Sequence, residues 1–309
     1  MYVTRLKVAM FTSMLVLGIT ACGQAPASGS TAPGGSTSAK PFVISAIPDQ
    51  DPEKLQRLYG TLATYLSKEL GVPVEYKPVT DYTASVTAFK VGDLDMVWYG
   101  GLTGTQARLQ VPGAQAILQR DIDAQFHSVF IANTSSGITK LADLKGHTFT
   151  FGSESSTSGR LMPQYFLQQE GIATTDFKGE PGFSGNHDKT IELVTAGTFD
   201  AGALNEQVWK KRLAEGKVDE SKVTAFYTSP AFFDYHWVIQ PDLTERYGAE
   251  FVSKLQNAFL KLDANVPEQK EILDLFGAEK FIATKNENYA QIEVIGREVG
   301  LIVAGAAAK

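Results

Sequence analysis

Residues 153–158 read Ser-Glu-Ser-Ser-Thr-Ser, five hydroxyl side chains in six positions, within the stretch "SESSTSGRLMPQYFLQQEG". Hydroxyls on a loop that opens a helix can cap the helix, or they can hold a small anion. The second chemistry is available because the first-turn N–H groups of a helix have no intrahelical acceptor and carry partial positive charge. Proline is tolerated only in a first turn, so Pro163 predicts a helix starting between about 158 and 162. Ser156, Thr157 and Ser158 are then left on the entry loop, aimed beyond the helix end.

Three other segments carry related chemistry. "GFSGNHDKT", residues 182–190, leads into a helix with His187 at its mouth, where a ring N–H can be offered to an anion. "AGALNEQ" ends a strand at Asn205, beside another helix start. "WYGGLTGTQ" ends a strand at Tyr99, and the adjacent Gly100 and Gly101 let backbone approach something closely. Asp and Glu are scarce at these tips, so uncharged donors are expected to do the holding. No cofactor and no metal is called for. The histidines His127, His147, His187 and His236 show no metal-ligand spacing, and a single cysteine excludes Cys-based zinc sites. A secreted serine hydrolase using Ser156 or Ser158 with His187 is the alternative of a different class. The chain has no Gly-x-Ser-x-Gly elbow to support it.

The elements that must position these residues follow from periodicity. "PFVISAIP" reads as a strand. Asp51-Pro52 then opens a helix with Leu55, Leu58, Leu62, Tyr65, Leu66 and Leu70 at helical spacing, closed by Gly71. "VPVEYKPV", the helix "DYTASVTAFKVG" and "LDMVWYG" complete a βαβαβ unit, which predicts a parallel sheet with helical crossovers. A second βα set runs from "HSVFIAN" to "VTAFYTS". "YHWVIQP" is a further strand, and residues 242–303 read as helices. The expectation is an α/β protein of two lobes, each a mostly parallel sheet flanked by helices. Two hinge crossings fall near 120–128 and 228–238. Lobe one is 41–124 plus 236–309, and lobe two is 125–235. In open parallel sheets ligands bind beyond the carboxyl ends of the strands, which is where the four segments lie.

The 309-residue chain is 43% hydrophobic with a formal charge of -6 and no long basic run, which argues against a nucleic-acid partner. Arg5 and Lys7 precede the apolar run "VAMFTSMLVLGIT", too short for a bilayer span of ~20 residues. "ITAC" then ends at Cys22. This pattern resembles a bacterial lipoprotein signal, with residues 1–21 removed and Cys22 acylated. Residues 22–40, rich in Gly, Ser, Thr, Ala and Pro, read as a flexible tether. The folded part is thus expected outside the cytoplasm, held to a membrane only through the lipid on Cys22.

"STSG" at 156–159, "SGNHD" at 184–188, "FDAGA" at 199–203 and "WYG" at 98–100 resemble the phosphonate/phosphite solute-binding proteins of ABC importers, within the type II periplasmic-binding-protein-like fold. The resemblance runs over about 42–300. It implies a binding protein without chemistry of its own, closing two lobes on a small oxyanion and docking on an ABC permease in the membrane. It also implies that Ser156, Thr157, Ser158, His187 and Tyr99 hold the oxyanion, with Tyr82 of "TDYTAS" in contact. Asn205 and Tyr235 are expected at the same gap. Members that take aminoalkylphosphonates place acids near the ligand's ammonium group. Here one such position is Gln207, and the other, Asp234-Tyr235, lies among Phe232, Phe233 and Trp237. Phosphite, methylphosphonate and selenate are the candidate guests.

Overall fold

The computed structural model describes residues 40–303. The expected signal segment, Cys22 and all but the last tether residue lie outside the described residues. In chain order the first stretch comprises β1 (Phe42–Ala46), α1 (Pro52–Leu70), β2 (Val74–Tyr76), α2 (Tyr82–Lys90), β3 (Met96–Tyr99), α3 (Gly101–Gln110) and β4 (Gln115–Arg120). The second holds β5 (Ser128–Asn133), β6 (Phe149–Phe151), α4 (Met162–Gln169), β7 (Gly182–Phe183), α5 (His187–Thr195), β8 (Ala201–Asn205), α6 (Glu206–Ala214) and β9 (Val223–Thr228). The third holds β10 (His236–Ile239), α7 (Leu243–Tyr247), α8 (Phe251–Leu260), α9 (Pro267–Phe276), β11 (Phe281–Ala283) and α10 (Ala290–Glu298).

Helix α1 shows how local chemistry sets the elements. The Asp51 carboxylate accepts the N–H groups of Glu53 and Lys54, and Pro52 sits in the first turn. Its buried face carries Leu55, Leu58, Tyr59, Leu62, Ala63 and Leu66. At the far end Gly71 adopts a left-handed conformation, φ 72°, and donates to the Ser67 carbonyl.

Two sheets result, ordered β11-β4-β10-β3-β1-β2 and β7-β6-β8-β5-β9. The chain leaves the first sheet after β4, enters the second at β5, and returns from β9 to β10. The isolated bridge Phe126–Phe232 ties the two crossing segments together. β1, β2 and β3 are parallel, as the βαβαβ order predicts. β10 is antiparallel to β3 and β4, and β5 is antiparallel to β8 and β9. The reason is positional. Each of these strands follows a crossing directly, so it starts where its neighbour ends: His236 opposite Tyr99, Ser128 opposite Asn205. The segment read as wholly helical contains β11, which is too short to show a two-residue period. One apolar core fills the first lobe, from Phe42 and Leu62 to Trp237 and Phe259. Two smaller clusters lie in the second lobe, one around Phe149 and Phe130 and one around Ile131 and Trp209.

Candidate ligand-binding site

The antiparallel register of β3 and β10 places the first acid. Carried two residues beyond the His236–Tyr99 pair, it sets Asp234 opposite Gly101. The Gly101 N–H, at the start of α3, donates to Asp234 Oδ1 at 2.9 Å. Asp234 is fully buried, and its Oδ2 has no hydrogen-bond partner. Burial pushes its carboxyl up to about 7, and Asp123 adds to the rise; the Gly101 N–H and the hydroxyls of Thr157 and Ser158 oppose it.

Those hydroxyls reach Asp234 from the other lobe. Residues Thr157–Leu161 form a π-helical turn that runs into α4, with Pro163 in the first α turn. Ser156 caps it: Oγ accepts the Gly159 N–H at 2.9 Å, and the carbonyl accepts the Leu161 N–H at 3.0 Å. Thr157 Oγ1 accepts the Leu102 N–H of α3 at 2.9 Å, so it already bridges the lobes. Two glycines permit the approach. A Cβ on Gly100 would lie 2.9 Å from Thr157 Oγ1, and one on Gly159 would lie 3.2 Å from His187 Cε1 and 3.0 Å from Ser156 Oγ. Tyr82, at the start of α2, is buried with its hydroxyl unpartnered.

His187 opens α5. Its backbone N–H donates to the Asp49 carbonyl of the first lobe at 3.0 Å. Its Nδ1 accepts the Asn205 N–H at 3.4 Å, which leaves the proton on Nε2, 3.3 Å from Tyr235 Oη. Burial lowers the ring to about 4, so it is a neutral donor at neutral pH. Asn205 caps α6 through Oδ1 and donates through Nδ2 to Tyr235 Oη at 3.1 Å. The Tyr235 hydroxyl in turn donates a hydrogen bond to Asp49 Oδ2 at 2.8 Å. Asp49 is buried and raised to about 6 by that burial, partly offset by the Tyr235 bond and by Lys54 and Arg120.

The structure therefore brings Ser156, Thr157, Ser158, His187, Tyr82, Asn205 and Tyr235 to one gap between the lobes. It places Tyr99 differently. Strand alternation turns Trp98 toward Tyr235 and Tyr99 the other way, onto Phe89. The Tyr99 hydroxyl donates to the Ser85 carbonyl at 2.8 Å inside the first lobe. The expectation that uncharged donors alone do the holding is corrected by Asp49, which no segment pointed to, and by Asp234, which turns inward from the position named for it. Their signal was faint: Asp49 follows the end of β1 and Asp234 precedes β10, and both are strand-end positions of the kind already singled out.

A cavity of about 300 Å³, the outer chamber, is lined by Tyr235, Asp49, Asn205, Trp98, Tyr59, Arg120, Lys54, Gln207 and Lys211, and by none of Ser156, Thr157, Ser158, Tyr82 and His187. Gln207 thus faces this outer chamber, while Glu206 pairs with Lys210 at 2.9 Å. The serine–histidine pair of a hydrolase is not formed, since both His187 ring nitrogens face other groups. Among the described residues no group of three or more His, Cys, Asp and Glu could hold a metal ion, and no helix is long and apolar enough to cross a membrane.

Two α/β lobes around a buried polar gap are the architecture of the two-lobed periplasmic binding proteins. Residues 44–289 match the family described as ABC transporter, phosphonate, periplasmic substrate-binding protein, and the chain belongs to that family. Its relatives are substrate-binding transport proteins and not enzymes. The chain is 48% identical over 270 residues to the probable ABC transporter phosphite-binding protein PhnD1 of Prochlorococcus marinus (strain MIT 9301), covering 85% of this chain and 91% of that one. The solved structure of PhnD1 from that strain in complex with methylphosphonate superposes with a TM-score of 0.83 at 47% identity, over 84% of this chain and 98% of that chain. The phosphonates-binding periplasmic protein of Escherichia coli (strain K12) is 29% identical over 231 residues, 72% of this chain and 65% of that protein.

Proposed function

We propose that the chain is the lipid-anchored, extracytoplasmic binding component of an ABC importer. Its guest is a small phosphorus oxyanion, phosphite or methylphosphonate. Lobe one is 41–124 plus 236–309, lobe two is 125–235, and they close about the two crossings. The guest lies among the hydroxyls of Ser156, Thr157, Ser158 and Tyr82, with His187, Asn205 and Tyr235 completing the wall. Tyr99 supports the floor from behind, through its bond to Ser85. Cys22 carries the lipid, and the closed form docks on the permease.

The observation that carries this reading is Asp234, a buried acid with an unpartnered oxygen beside the hydroxyl triplet. A carboxyl there meets an oxyanion without repulsion only if one proton is shared between them. Phosphite and phosphonates can retain a proton near neutral pH, whereas sulfate and selenate cannot. The relative described as phosphite-binding and the methylphosphonate complex support the same choice. Selenate, which size alone admits, is thereby disfavoured. Calorimetry at pH 7 against phosphite, methylphosphonate, phosphate, sulfate and selenate tests the reading. Tight binding confined to oxyanions that can hold a proton is expected; preference for selenate or sulfate overturns it. Mass spectrometry of the membrane fraction, seeking an acylated N-terminal Cys22, tests the anchor.

A further inference from the structure

The outer chamber has no part in holding the guest as proposed above. Three of its lining residues, Tyr235, Asp49 and Asn205, also hydrogen-bond to His187 of the inner gap. At its mouth stand Lys54 of α1 and Lys211 of α6, which also line the adjoining groove of about 610 Å³. These two cations come from different lobes. Neither has a carboxylate within 4.0 Å among the described residues, although the chain carries an excess of acids. Lys54 donates only to the Gln50 side-chain amide, and Lys211 only to the Asp274 carbonyl at 3.4 Å. Their neighbour Arg212 is different: it is tied to Asp188 and Glu215. Arg57, beside them in the groove, is exposed and likewise has no ion pair among the described residues.

We infer that Lys54 and Lys211 form a capture site for small oxyanions at the chamber mouth, one cation from each lobe, which speeds entry of the guest. The inference rests on the function proposed above. Two partly buried ammonium groups with no carboxylate in contact repel, although Asp49 and Asp188 near Lys54, and Glu215 and Asp274 near Lys211, offset part of that repulsion. Burial lowers both lysines, and Lys211 lowers Lys54 further. An anion reaching the open cleft meets one of them first. As the lobes approach, the second joins and the repulsion is relieved. A cleft lined by cations raises local anion concentration and association rate, and the gain fades with added salt. The site is built for capture and not for retention, because no residue of the hydroxyl triplet lines the chamber.

The test is stopped-flow fluorescence of the full chain with methylphosphonate and with phosphite, read from the tryptophans, of which Trp98 stacks on Tyr235. Lys54→Gln with Lys211→Gln is compared with wild type and with Lys54→Arg with Lys211→Arg. At low ionic strength the Gln pair is expected to lower the association rate constant about tenfold and to change dissociation less than twofold. The difference vanishes at high salt, and the Arg pair retains the wild-type rate. An unchanged association rate, a loss lying wholly in dissociation, or a salt dependence equal to wild type overturns the inference. A wild-type chain that binds neither probe overturns the proposed function as well; normal wild-type binding with unaltered association in the Gln pair overturns the capture site alone.

Discussion

Asp188 Oδ2 accepts the backbone N–H of Asp51 across the gap at 3.1 Å, while Arg212 grips the same carboxylate at 2.6 Å. Asp51 also caps α1, so the clasp joins the start of a first-lobe helix to the first turn of α5. It lies one residue from His187 yet does not touch the hydroxyl triplet. In the proposed function its contribution is to the closed arrangement and not to recognition of the guest.

Asp188→Asn removes the charge that holds Arg212 in place. Affinity for methylphosphonate is expected to fall about tenfold, near 1.4 kcal/mol, as for one lost charge-assisted hydrogen bond. The ranking among oxyanions stays as in wild type. Calorimetry across the oxyanion panel checks both; an altered ranking means that Asp188 belongs to the recognition site.

Thr157→Ala deletes the acceptor of the Leu102 N–H and one hydroxyl facing Asp234. The expected loss of affinity is about 1–3 kcal/mol, larger than for Ser155→Ala, whose hydroxyl is 3.5 Å from Thr83 at the gap's edge. Equal losses contradict the placement of the triplet.

Much of this site was legible in the chain. Clustered hydroxyls before Pro163 and a histidine at a helix mouth need only local rules. What stayed open, including which way the named Asp234 turns, depends on partners distant in sequence. Asp234 faces the gap because β10 starts where β3 ends, an antiparallel register that nothing in "FFDYHW" announces. Tyr99 illustrates the opposite failure. Adjacent strand residues face opposite ways, so Trp98 and Tyr99 could not both line the gap, but only the packing of Phe89 and Ser85 decides which does. The π-helical turn at Thr157–Leu161 and the two-residue β7 leave no periodic trace.

Asp234→Asn tests the proton-sharing role. A neutral amide cannot repel a fully ionised guest, so sulfate and selenate are expected to gain affinity relative to methylphosphonate. Unchanged discrimination in calorimetry assigns selectivity elsewhere. The variant also bears on stability. A carboxyl raised from 3.8 to about 7 stabilises the fold at low pH, and the contribution is lost as pH rises through about 7. Asn lacks that loss, so its melting temperature relative to wild type rises more at pH 8 than at pH 4.

His187 works in the reverse sense. Its ring is lowered from 6.5 to about 4, so the folded state binds fewer protons than the unfolded one between those values. Its contribution is present above 6.5 and lost as pH falls toward 4, an effect on the order of 3 kcal/mol for a fully buried group. His187→Gln is expected to flatten the acid side of the melting curve between pH 6.5 and 4. An equally steep fall places the acid sensitivity in other groups, such as the buried His236.

The most direct test is a crystal structure of the chain with methylphosphonate. The account predicts the phosphonate oxygens within hydrogen-bond distance of the Thr157 and Ser158 hydroxyls and of Tyr82 Oη, with Asp234 facing one of them. Ligand density in the outer chamber beside Lys54 and Lys211, with the Ser156–Ser158 loop untouched, would contradict it.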